Sequence, residues 1–81
     1  MEKDWSTLDV YATAWIYLTT GIYPELKYFK GRVSFHFPLA EQVINSISEY
    51  NSGEKIEALR YSLTIKNFKS QIFQLKSQNE K

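Results

Sequence analysis

Pro24-Glu25-Leu26-Lys27-Tyr28-Phe29-Lys30-Gly31-Arg32-Val33-Ser34-Phe35-His36-Phe37 decides the fold, because two alternating runs meet there at a Lys-Gly pair. Val33, Phe35 and Phe37 alternate with Arg32, Ser34 and His36, the period-2 pattern of a strand with one wet face. Leu26 and Tyr28 alternate with Lys27 and Phe29 on the run before it. A turn at Lys30-Gly31 sets Tyr28 opposite Val33 and Leu26 opposite Phe35, so the apolar sets share one side. A three-residue loop ending at Gly31 would set Lys27 opposite Val33, and a slip by one turns a whole strand over. A four-residue loop, Phe29 to Arg32, keeps the good register and spares Lys30 a positive φ.

Outward from the hairpin the punctuation is helical. Ser6 reads as the N-cap of a first helix, with Asp9 as a short-armed capping-box partner and Trp5 and Val10 as a hydrophobic staple. Gly21 suits the left-handed position after that helix, with Tyr17 and Ile22 placed for a Schellman contact. Leu8, Tyr11, Trp15 and Leu18 form one apolar stripe, and Val10, Ala14 and Tyr17 form another. A helix apolar over most of its girth is covered on more than one side. Pro38 marks the start of a second helix, whose stripe is Leu39, Val43, Ile47 and Tyr50 with Ile44 alongside; Asn51-Ser52-Gly53 ends it. A third helix runs from about Lys55 to about Ser77. Along it Ala58, Tyr61, Ile65, Phe68, Ile72 and Leu75 recur at alternating spacings of three and four, a coiled-coil-like seam. Ile56, Leu59 and Leu63 add a second stripe in its first half only.

The expected architecture is therefore α+β, in the order α-β-β-α-α, as a single domain over 1–81. Its ordered core spans about 5–76, with 77–81 frayed. Eighty-one residues bury a small core. Five Phe, six Tyr and two Trp compensate, each able to bury roughly 150–250 Å².

This order of features resembles a small uncharacterised family of bacterial and phage proteins, a domain of unknown function. The residues that carry the likeness are the first helix, Leu8 to Leu18, closed by Gly21, and the Phe35-x-Phe37 strand. Tyr50 with Gly53, Ala58, Tyr61 and Phe68-Lys69-Ser70 match as well. The likeness spans roughly 6–73. Phe68 stands where the family has Leu, and Pro38-Leu39 replaces its polar spacing. Membership implies a prokaryotic or mobile-element origin and an α+β domain, and it carries over no activity or site.

Composition narrows the chemistry. No cysteine is present, which excludes disulfides and thiolate zinc and makes a reduced cytosol the natural, cytoplasmic compartment. A single histidine leaves little for a metal site or a triad. Val10 to Pro24 is free of charge but falls short of the roughly 20 apolar residues a membrane span needs, and the acidic leader does not suit a signal peptide. Glu25 faces His36 in the favoured register, a surface pair worth a few tenths of a kcal/mol rather than a general-base dyad. Glu54 and Glu57 suit the positive end of the third helix. No enzymatic constellation and no cofactor site emerge.

Net charge is +1, unevenly placed. Acids alone occupy the stretch between Arg32 and Lys55, and bases alone the stretch between Glu57 and Glu80. Two surfaces follow. The seam, with Phe68, Ile72, Phe73 and Leu75, is expected to bind a protein partner or a second copy, since the helix is long for so small a core. Lys27, Phe29, Lys30, Arg32 and His36 on the hairpin, with Lys66 and Lys69, form the alternative, a nucleic-acid surface combining basic and aromatic side chains. An exposed cation–π pair of Phe29 with Arg32 explains the same hairpin residues without a ligand. The leading expectation is a small non-enzymatic interaction module acting through the third helix and the hairpin.

Overall fold

The computed structural model describes residues 4–80. The elements are β1 (Asp4–Thr7), α1 (Val10–Thr20), β2 (Glu25–Phe29), β3 (Arg32–Pro38), α2 (Glu41–Asn51) and α3 (Ala58–Asn79). Three antiparallel strands form a sheet in the order β1-β3-β2, and the helices cover its Val33/Phe35/Phe37 face. The fold class is α+β. At 18 Å in its shortest dimension the molecule is one sheet and one helical layer thick.

The hairpin register is the expected one, with Leu26 opposite Phe35 and Tyr28 opposite Val33. Phe29 pairs with Arg32, so the loop has two residues, not four. Lys30 and Gly31 both take positive φ, 50° and 81°, the pattern of a turn whose twist matches the strands it joins. Lys30 is the one non-glycine residue with positive φ among those described.

The N-terminal segment departs from expectation. Residues 4–7 are a third strand, and Trp5 pairs with Phe37 instead of stapling the helix. Ser6 lies in that strand, and the N-cap is Asp9, whose Oδ1 accepts the N–H groups of Tyr11 (2.9 Å) and Ala12 (3.4 Å). The physical reason is sheet completion. β3 carries Phe37 beyond the reach of β2, and only β1 pairs with that end. At the other end of α1, Gly21 takes φ 75° and donates to the Tyr17 carbonyl at 2.8 Å, while the Ile22 N–H goes to the Thr20 hydroxyl.

α1 is the central helix. Ala12, Thr13, Ala14, Trp15 and Ile16 are consecutive and all buried, which requires cover on every side, and α2, α3 and β1 supply it. Trp15 donates its indole N–H to the Ser46 carbonyl at 3.0 Å, and the Ser46 hydroxyl meets that of Thr19. Pro38 closes β3, and the second helix starts beyond Ala40, which offers no side-chain cap.

α3 begins at Ala58 and continues to Asn79, so 77–79 are helical where fraying was expected; Lys81 lies outside the described residues. The middle of its seam, Tyr61 to Ile72, faces the core. Phe68 is 0% exposed, and Tyr61, Ile65 and Ile72 pack against the core around it. The Phe68 ring meets Phe35, Tyr17 and Tyr23 at centroid distances of 5.6, 6.0 and 5.5 Å.

Phe35→Ala is expected to lower unfolding free energy by about 3–5 kcal/mol, read by urea denaturation; wild-type stability would mean that Phe35 is not core. Lys30→Asn, which installs the Asn-Gly pair this turn favours, is expected to raise stability by roughly 0.5–1 kcal/mol through relief of left-handed strain.

Candidate functional site

A groove lies between β2 and one flank of α3. Asn67, Gln71, Gln74 and Gln78 recur at spacings of four, three and four, which on a helix is a single stripe. At 100° per residue that stripe stands about 60–120° round from Phe68. Docking Phe68 on Phe35 therefore brings the amides alongside β2. The groove encloses about 490 Å³, and Leu26, Ser70 and Leu75 complete its lining. Among the described residues no charged side chain lines it.

β2 is an edge strand. The two-residue turn makes Phe29 and Arg32 the hydrogen-bonded pair beside it. By the alternation of an antiparallel ladder, the N–H and C=O groups of Leu26 and Tyr28 then point to the free edge. At the turn end of this edge the Tyr28 hydroxyl donates to Glu80 at 2.9 Å, tying the last turn of α3 to the hairpin. That bond holds the Tyr28 phenol above its ordinary value.

Amide side chains both donate and accept, so the stripe suits a backbone, which offers both kinds of group. The amide spacing was legible in the sequence, but expectation followed the apolar seam beside it.

The partner-binding residues read from the sequence divide. Phe68 belongs to the core, and Ile72 is partly buried against it. Leu75 is half-buried in the groove opposite Leu26. Phe73 is 72% exposed and stands on the outer face of α3 with Leu59 and Leu63, about 140–180° from Phe68.

The basic residues divide as well. Lys27, Phe29, Arg32 and His36 share the uncovered face of the sheet by register, together with Glu25 and Ser34, and Lys30 is at its turn. Phe29 is 70% exposed, and its cation–π partner is Lys30, 5.3 Å from the ring centroid, rather than Arg32. Glu25 is opposite His36, whose Nε2 instead meets the Ser34 hydroxyl at 2.8 Å. Lys69 lies 5.4 Å from the Tyr11 ring on the helical side, and Lys66 is exposed on the outer face of α3. A single basic surface joining the hairpin to Lys66 and Lys69 is not formed, because the sheet separates them.

Among the described residues no group of three or more metal-ligating side chains is found, and no helix is long and apolar enough to cross a membrane. No protein-family model, curated protein or solved structure matches the chain.

A second polar cluster joins α1, α2 and α3. The Tyr61 hydroxyl donates to the Tyr11 carbonyl at 2.8 Å, and the Tyr50 hydroxyl reaches Asp9 Oδ2 at 3.4 Å. Burial first, and the neighbouring Tyr50 and Asp9 next, push the Tyr61 phenol up to about 12. Its folded value lies above the ordinary value of about 10, so the fold favours the neutral phenol. That stability is fully present below about pH 10 and is lost as pH rises towards about 12. Absorbance titration is expected to show one phenol ionising late, with unfolding onset in the same window. Tyr61→Phe is expected to remove the late phenol and to cost about 1 kcal/mol at neutral pH, the worth of one hydrogen bond. A full complement of ordinary phenols in the wild type would refute the assignment.

Proposed function

We propose that the chain is a small non-enzymatic interaction module, of the bacterial and phage kind its sequence resembles. It binds an extended segment of a partner protein by strand addition to β2. The observation that carries this reading is the amide-lined groove running beside an unpaired strand edge. An added strand pairs its backbone with Leu26 and Tyr28, which supplies affinity, while alternate side chains enter the groove, which supplies selectivity. Gln71, Gln74 and Gln78 then bond to backbone or polar groups of the segment, and Leu26 and Leu75 give apolar contact. The absence of charge in the groove favours a segment that presents uncharged side chains inward.

One observation favours a second reading. The opposite face of the sheet is uncovered and carries the exposed Phe29 between Lys27, Lys30 and Arg32, which suits stacking of a single-stranded base beside a phosphate contact. The surface is small, and Glu25 shares it.

Peptides selected from a random display library are expected to shift the Leu26 and Tyr28 amide resonances together with the side-chain amides of Gln71 and Gln74. The exposed double substitution Gln74→Lys with Gln78→Lys is expected to weaken them by at least about tenfold without changing the thermal midpoint. Lys27→Glu with Arg32→Glu is expected to leave peptide affinity unchanged. Shifts confined to Phe29 and Arg32, or binding of a salt-sensitive oligonucleotide that the second pair abolishes, would replace the groove with the outer face.

A further inference from the structure

At the opposite edge of the sheet from the groove, β1, α1 and α2 enclose a pocket of about 170 Å³. Trp5 and Tyr50 supply aromatic walls, Ala12, Ile16 and Ile47 an apolar lining, Asp9 a carboxylate, and Thr7 and Asn51 a hydroxyl and an amide. The geometry points to this pocket as a binding site for a small methylated ammonium ion, with Asp9 as its counter-charge and Trp5 and Tyr50 as its π faces.

Size comes first. A cavity of about 150 Å³ holds benzene in another protein, so this one has room for a trimethylammonium group. Charge comes next. Asp9 Oδ1 is taken by the first amides of α1, and Oδ2 meets the Tyr50 hydroxyl at 3.4 Å. Among the described residues no lysine or arginine lines the pocket to neutralise it. Tyr50 is held above its ordinary ionisation range, chiefly by burial, so it lines the pocket uncharged at neutral pH, and among the described lining residues Asp9 supplies the one formal charge.

The same features weigh against the competitors. A hard divalent cation needs six or more oxygen ligands, and Asp9 is the one carboxylate among the described lining residues. A primary ammonium brings three donors that each need an acceptor; Thr7, Tyr50 and Asn51 offer polar atoms beside Asp9, while Trp5, Ala12, Ile16 and Ile47 offer no acceptor. A methylated ammonium needs no hydrogen bonds. It satisfies the aromatic faces by cation–π attraction and the apolar wall by contact. Trp5 is firmly placed for this role, since its ring is backed by Phe37 at 6.4 Å.

The site is independent of strand addition at β2, and so is its test. The Trp5 indole N–H resonance is followed while choline chloride is added, and again with 3,3-dimethyl-1-butanol, the uncharged isostere of choline. Choline is expected to give a saturable shift and the isostere to bind at least about tenfold more weakly. Asp9→Asn retains a competent N-cap, and it is expected to weaken choline by about tenfold while leaving the isostere unchanged. Trp5→Leu is expected to weaken choline as well, followed through the Tyr50 ring protons. N-acetyl-trimethyllysine amide separates a protein-borne ammonium from a free one by binding more tightly than choline. Equal binding of choline and its isostere, or a choline response that never saturates in folded wild-type protein, overturns the assignment.

Discussion

One ring holds the two layers together. Phe68 is the single fully buried side chain on the 22-residue α3; its ring packs edge-to-face with Phe35 of the sheet and with Tyr17, and at a tilt with Tyr23. Edge-to-face aromatic pairs add roughly 0.5–1.5 kcal/mol each beyond their buried area, so two such neighbours weigh heavily in a domain of this size. The same contact fixes the rotation of α3 about its axis. Everything else that α3 presents follows from that rotation: the amide stripe beside β2, Lys69 over Tyr11, and Leu59, Leu63 and Phe73 turned outward.

The sheet is used asymmetrically. Its inner face is filled by aromatic and β-branched residues from β3, and its outer face is left to Lys27, Phe29, Arg32, Ser34 and His36. Its edges also differ in what flanks them: β1 borders the pocket of Asp9 and Tyr50, and β2 borders the groove. A strand edge is a template for pairing, and proteins normally blunt it with charge, proline or cover. Lys27 and Glu25 give β2 partial protection through charge, while α3 stands far enough off to leave space. That combination of an unpaired edge and a nearby polar wall underlies the proposed strand addition.

Much of this was legible in the chain. The hairpin register was, because a shift by one residue would have exposed Phe35 and buried Ser34. Gly21 as a helix terminator and the burial of the first helix were legible too, since a helix apolar around its girth has no face to give to water. Asp4-Trp5-Ser6-Thr7 was not. Four residues are too few for an alternation to stand out, and serine before an apolar run reads equally well as a cap. The seam on α3 was found in the sequence, and the structure turns Phe68 and its neighbours Tyr61, Ile65 and Ile72 toward the domain's own core. A stripe of that spacing packs just as well on its own domain as on a second copy.

Local order thus determined the hairpin, the three helices and their apolar faces, because side-chain periodicity and turn chemistry act over a few residues. The tertiary structure alone decided which faces meet. Asp9 becomes a cap only once Ser6 is drawn into the sheet as Trp5 pairs with Phe37. Ser46 becomes a core residue only when Trp15 reaches its carbonyl across 31 positions of sequence. Asn67, Gln71, Gln74 and Gln78, an ordinary wet stripe by sequence, become the wall of a groove because Phe68 sets the turn of the helix against β2.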